Sequence, residues 1–306
     1  MSNPDSTLLL VGLKSTGKTN FLVGLDVVLD SQTDPNGLTH SDLAADRAYL
    51  QPLKEQWLRG EVFIRTSRQQ PPPPHQLLVR HPATGSNIGF HVPDLAGETF
   101  DAHFVTRSVP QDFCERLKRA KGLLLFVHCD HNADHALLEH PGLMDPALTP
   151  EAPIPAPEAP SDWHPEAACL QVKLVDLLQF IAETIHPSGP MRVAVMVSAW
   201  DLVEKAHSQN RPAAREMPNN PNKFLSKRWP LLDQYLHSHA ATFESHAFGV
   251  SARGGGDSPA EITRLTHFDH PAERVILVDG THRSHDLSRP VRWLLGLADH
   301  PTPPNA

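Results

Sequence analysis

The chain has 306 residues, 27 of them Lys or Arg and 35 Asp or Glu, for a formal net charge of −8. No basic block is longer than Lys227-Arg228 and no apolar run approaches the ~18 residues of a membrane span, so nucleic-acid binding and membrane insertion are not expected. Three widely spaced cysteines, Cys114, Cys129 and Cys169, fit reduced thiols in a cytoplasmic protein rather than a disulfide frame, and neither a leader nor a lipidation signal is read.

Leu8 to Val11 is a short apolar run suited to a buried strand, and Phe21, Leu22, Leu25, Val28 and Leu29 then repeat at helical spacing. Between them, residues 12 to 19 form a complete G-x-x-x-x-G-K-[ST] phosphate-binding loop. Strand, glycine-rich turn and helix arrive in the order such a loop requires. Gly12 and Gly17 allow backbone conformations and a close approach that a Cβ would obstruct. The backbone through Lys14, Ser15, Thr16 and on to Asn20 is therefore expected to aim N–H groups at the phosphates of a nucleoside triphosphate. Lys18 would reach the β- and γ-phosphates as a point charge, and the Thr19 hydroxyl would hold Mg²⁺ between them.

Asp30 to Gly37 is turn-rich. Leu43, Leu50, Leu53 and Trp57 mark one face of an inserted helix that Gly60 closes and Pro52 is expected to kink. Residues 61 to 75, with Pro71 to Pro74, read as a semi-rigid spacer, which makes 38–75 an insertion. Gln76 to His81 and Asn87 to Val92 pattern as an antiparallel hairpin around a short turn. Gln111 to Lys121 is a predicted helix, and Gly122 to Val127 a continuous apolar run of the kind that suits a central parallel strand. Eight of the 27 residues from Glu139 to Pro165 are proline, so this stretch cannot build a core and is expected to be an extended or disordered insertion. A periodic helix, Ala167 to His186, resumes the pattern. Met191 to Ser198 follows as a buried strand, Phe224 to His237 as a helix and Ala247 to Ser251 as a short strand. Residues 253 to 270 read as a loop within an extra segment, 253–285, and Arg274 to Val278 as an extra strand. Pro290 to Leu297, capped by Ser288, closes the fold before a disordered tail at 299–306. The alternation predicts one elaborated α/β domain over 1–298. It has three layers, a mostly parallel sheet with one antiparallel hairpin strand, and helices on both faces.

Two further motifs carry chemistry. Val92-Pro-Asp94-Leu-Ala-Gly97 ends the second hairpin strand in a carboxylate, and a D-x-x-G turn placed after a phosphate loop suits phosphate sensing. Asp94 would meet Mg²⁺ through water, and the Gly97 N–H would meet a γ-phosphate with no side chain intervening. Downstream, Val197-Ser198-Ala199-Trp200-Asp201 and Gly249-Val-Ser251-Ala252 each end a strand.

With these four stations in order, the chain resembles the translation-factor and Ras-like class of P-loop GTPases across nearly its whole length. The resemblance implies GTP and GDP as ligands and Mg²⁺ as cofactor. In that class the base-motif aspartate, here Asp201 beside Ser198, accepts hydrogen bonds from guanine N1 and N2, and the Ser251-Ala252 turn offers a backbone N–H to O6. Thr66, in Ile64-Arg-Thr66-Ser, stands where the class places the threonine that completes Mg²⁺ coordination. There are departures. Ala199 replaces the lysine whose stem lies over guanine, with Trp200 as a substitute stacking surface, and ATP is therefore the alternative ligand. Glu98 replaces a water-orienting glutamine, and its carboxylate would be repelled by the γ-phosphate.

The catalytic set implied is Lys18, the Gly97 amide and Glu98. Slow intrinsic turnover is expected, with an activating or effector protein as partner. The alternative is a nucleotide-binding scaffold. A narrower likeness rests on the Ser-x-Trp-Asp motif, the insertions and the segment from Asp286 through Leu295. In these features the chain resembles bacterial double-GTPase proteins of predicted conflict operons. Two weaker signals are read as ordinary surface chemistry. They are the His128-Cys129-Asp130-His131-x-x-x-His135 cluster, which matches no zinc spacing, and Arg65, Arg68 and Arg107, each an arginine-finger candidate with ion pairing as the alternative.

Overall fold

Apolar residues run without interruption from Leu8 to Val11 in β1 (Ser6–Gly12), and such a strand needs cover on both faces. The computed structural model describes residues 6–31, 37–41, 50–61, 63, 75–81, 84–92, 103–130, 168–185, 189–209 and 218–297. β1 pairs in parallel with β4 (Asn87–Val92) on one side and β5 (Ala120–His128) on the other. Parallel pairing continues through β6 (Met191–Ser198) to β7 (Phe243–Ser251). Four more strands complete a nine-stranded sheet: β2 (Thr39–His40), β3 (His75–Arg80), β8 (Ile276–Asp279) and β9 (His282–Ser284). The order is β2-β3-β4-β1-β5-β6-β7-β8-β9.

The predicted hairpin is β3-β4, with Gln76 opposite His91 and Val79 opposite Ile88. The sheet departs from the expectation of one reversed strand. β8 also runs antiparallel to β7, and β9 turns back on β8 through Gly280 at φ +60°.

Alternate residues of β1 feed opposite cores. Leu9 and Val11 join a layer made by α3 (Gln111–Arg119), α4 (Leu170–Thr184), α5 (Trp200–Ser208), α6 (Pro221–Arg228) and α7 (Pro230–Ser238). Leu8 and Leu10 face α1 (Lys18–Asp30), α2 (Leu50–Leu58) and α9 (Arg289–Leu295). Each fully buried Leu or Phe in these layers contributes about 1.5–3 kcal/mol of transfer free energy.

Local differences from the predicted elements have local causes. Pro52 is the third residue of α2, and residues 42–49, over which the predicted helix would begin, lie outside the described residues. Pro230 divides the single helix expected over Phe224–His237 into α6 and α7, opening the second at its first position. The loop expected over 253–270 contains α8 (Pro259–Thr266), capped by the Ser258 hydroxyl, which accepts from the Glu261 N–H at 3.3 Å. The proline-rich stretches 71–74 and 139–165, and the tail, lie outside the described residues.

Candidate nucleotide-binding site

The carboxyl ends of β1, β4, β6 and β7 share one edge of the sheet, because these strands run parallel. Connections from β1 and β4 leave for opposite faces, α1 on one and α3 on the other. That divergence is where open α/β sheets bind ligands.

The phosphate loop is shaped by three left-handed residues. Gly12 has φ +142°, and a Cβ there would lie 2.5 Å from the Phe126 carbonyl oxygen, so no other residue fits. Ser15 (φ 62°) and Gly17 (φ 89°) follow, and Gly17 caps α1 by accepting the Phe21 N–H at 2.9 Å. The Thr16 hydroxyl is buried and donates to the Leu13 carbonyl at 2.8 Å. Lys18 Nζ curls under the loop and donates to the carbonyls of Gly12 at 2.6 Å and Leu13 at 2.7 Å. Loss of hydration there lowers the Lys18 pKa to about 8. Lys14, Ser15, Thr19 and Asn20 sit at the loop rim and first helical turn, exposed or half-buried.

At the next strand end, Ser198 donates its hydroxyl to the Val127 carbonyl at 3.1 Å, and Ala199, left-handed at φ 57°, turns the chain into α5. Trp200 is fully buried, not stacked over the site as the sequence suggested. Its indole fills the space left by Gly249, where a Cβ would be 2.3 Å from the ring, and meets Phe224 edge-on at 5.3 Å. Asp201 on the first turn of α5 accepts a short hydrogen bond from the Ser251 hydroxyl at the end of β7, and the same hydroxyl accepts the Gly254 N–H at 3.1 Å. Two of the motif stations, far apart in sequence, are thereby joined. Cys129 beneath them donates its thiol to the Ala199 carbonyl at 3.2 Å, and burial pushes its pKa up to about 12, which keeps it protonated. Arg107 pairs with Asp176 and lies over the Phe104 ring at 5.2 Å.

Ala252 brings in residues that the motif analysis did not assign to the site. Its carbonyl accepts the Trp57 indole N–H at 3.1 Å, and Arg253 donates to the Gly60 carbonyl. Gly254 (φ +82°) passes so close to Arg274 that a Cβ would lie 1.9 Å from the Arg274 carbonyl oxygen. Asp94, Gly97, Glu98 and Thr66, together with Arg65, Arg68, His131 and His135, lie outside the described residues.

A phosphate loop between β1 and α1, a strand leading toward D-x-x-G, and a carboxylate joined to a small-residue turn at two neighbouring strand ends define a P-loop domain of the GTPase class. The chain belongs to the Double-GTPase 1 family, whose model matches residues 9–294. Among solved structures it is similar to a chain of the signal recognition particle receptor SRb-GTP/SRX complex from Chaetomium thermophilum. Identity is 13%, 85% of this chain and 94% of that one are covered, and the TM-score is 0.34. It is also similar to the S. cerevisiae Ski7 GTPase-like domain bound to GTP, at 12% identity, with 82% and 43% covered and a TM-score of 0.32. No curated protein matches it. Among the described residues no helix is long and apolar enough to cross a membrane.

Proposed function

We propose that the protein is a Mg²⁺-dependent GTP-binding switch that hydrolyses GTP slowly by itself and acts through a partner protein. The observation that carries this reading is the Asp201–Ser251 hydrogen bond. It holds a carboxylate fixed beside a small-residue turn, and a carboxylate paired with a backbone donor suits the N1–H, 2-amino and 6-oxo edge of guanine. The Gly12–Asn20 loop would take the phosphates, with Lys18 leaving its carbonyl partners for the β- and γ-oxygens.

The two loop threonines differ in a way that fits a cation. The Thr16 hydroxyl is already bonded to Leu13, whereas that of Thr19 makes no hydrogen bond among the described residues. Thr19, Asp94 through water, and Thr66 would hold Mg²⁺, which when bound neutralises phosphate charge. The Gly97 amide would meet the γ-phosphate, so that nucleotide state orders the segments around Thr66 and Asp94. Glu98, where a neutral water-orienting side chain would serve hydrolysis better, favours a second reading: a nucleotide-binding scaffold for assembly with little turnover.

Calorimetry with Mg²⁺ comparing GTP, ATP and a non-hydrolysable GTP analogue, with phosphate release followed on the same samples, tests both. Tight GTP binding with ATP excluded is expected, with slow release that a partner accelerates. Equal or better ATP binding overturns the guanine reading. GTP binding without release, alone or with partners, leaves the scaffold.

A further inference from the structure

The helix inserted between α1 and the hairpin does more than cover the sheet. α2 is fastened to α1 by Lys54, whose Nζ lies 2.6 Å from the buried Asp26 carboxylate and also pairs with Asp30. Its far end is fastened to the turn that follows β7. Trp57 is fully buried, and its indole N–H donates to Ala252 O across 195 positions of sequence. The Arg274 guanidinium lies over the same indole, 3.6 Å from the ring centroid. It also donates to the carbonyls of Trp57, Leu58 (3.4 Å) and Leu265 (3.1 Å), and so closes the last turns of α2 and α8. Arg253, next to Ala252, donates to Gly60 where α2 ends. On the other side α1 presses in, since a Cβ on Gly24 would meet the Ala252 oxygen at 3.0 Å. The Ala252 peptide is thus held between two helices, with its acceptor committed to Trp57.

This bears on base discrimination. Guanine presents an acceptor at its six-position and adenine a donor, so a turn that offers N–H groups there selects guanine only while its peptide planes cannot rotate. A carbonyl swung into the same place would accept adenine's amino group. In a trans peptide N–H and C=O point in opposite directions, so fixing the Ala252 carbonyl fixes the Arg253 N–H, the donor of the same peptide plane. We propose that Trp57 is a specificity-positioning residue, its indole N–H fixing the Ala252 turn so that the site prefers a 6-oxo over a 6-amino purine, with Arg253 reinforcing the hold from the end of α2. The inference rests on the guanine reading above and assigns part of it to the inserted helix, which precedes Thr66 in the sequence.

Trp57→Phe keeps an aromatic ring at the buried position under Arg274 and removes the indole N–H donor, together with some buried volume that the tripolyphosphate and folding controls account for. The affinities of wild type, Trp57→Phe and Arg253→Ala are measured by calorimetry for non-hydrolysable GTP and ATP analogues and for inorganic tripolyphosphate, with circular dichroism as a folding control. The expected result is a GTP affinity lowered about five- to tenfold in Trp57→Phe and less in Arg253→Ala, with ATP and tripolyphosphate affinities unchanged. A GTP-to-ATP ratio that neither variant lowers, or losses shared equally by all three ligands, overturns the inference while the guanine reading stands. If Trp57→Phe does not fold, the ratio in Arg253→Ala decides alone. A wild-type protein that binds both nucleotides equally removes the guanine reading and this inference with it.

Discussion

The β-carbon that Gly17 lacks would stand 3.5 Å from the β-carbon of Ser198, so a single methyl group would fill the gap between the phosphate loop and the strand end that leads to Ala199 and Asp201. A side chain added to the loop at Gly17 is therefore felt at that strand end. Gly17 is left-handed at φ 89°, so Gly17→Ala strains the loop whatever the space around it. Titration of the variant with GTP and with tripolyphosphate is expected to show both affinities reduced.

Gly12→Ala is the more severe change, because its Cβ would meet a backbone oxygen of β5 at 2.5 Å and neither strand can move aside. A loss of about 2–4 kcal/mol in urea unfolding is expected, with the midpoint shifted and the slope retained.

Lys18 gives a pH signature of defined sign. Its folded pKa is about 8 against 10.5 for a free lysine, and the cause is loss of hydration. Phosphate needs the charged form, so GTP affinity is expected to fall as pH rises through about 8, and Lys18→Met should bind weakly with no such dependence. Stability of the nucleotide-free protein moves the other way. Between about 8 and 10.5 the unfolded chain holds this proton and the folded one does not, so Lys18 makes unfolding harder as pH rises. Calorimetric affinities and urea midpoints at pH 7, 8.5 and 9.5 would separate the two trends.

Ser251→Ala removes the donor that holds Asp201 and the acceptor of the Gly254 N–H. A loss of about 1–3 kcal/mol in GTP binding is expected, with tripolyphosphate binding unchanged. If both ligands weaken together, Ser251 acts through the general fold and not through Asp201.

Trp57→Ala and Gly249→Ala test opposite faces of the sheet. The first empties a fully buried indole site and is expected to cost about 3–5 kcal/mol. The second drives a methyl group into Trp200 and is expected to cost about 1–3 kcal/mol. Chemical denaturation of both variants measures these values. A neutral Gly249→Ala would mean that Trp200 is free to turn away from the core.

Strand positions were legible because a strand buried on both faces must be apolar throughout, as Leu8–Val11, Leu123–Val127 and Val193–Val197 are. The phosphate loop was legible because its chemistry is local: each glycine answers a constraint from its immediate neighbours. Even α8 left a readable signal, Ser258 followed by Pro259 and Glu261, the side-chain types that begin a helix. Trp200 was different. Its motif position suggests a base-stacking ring, yet the direction of its side chain depends on Gly249, a residue 49 positions away on the neighbouring strand.

By itself, then, the sequence determined a phosphate-binding loop on a parallel sheet and the order of the stations that follow it, since those depend on short-range spacing and hydrophobic periodicity. Tertiary structure decided which polar groups face each other: Ser251 on Asp201, Trp57 on Ala252, Arg274 on the ends of two helices. Such pairs form because burial makes unmatched donors and acceptors costly, and the partner is whichever group the packed layers bring within about 3 Å, a condition that no spacing along the chain records.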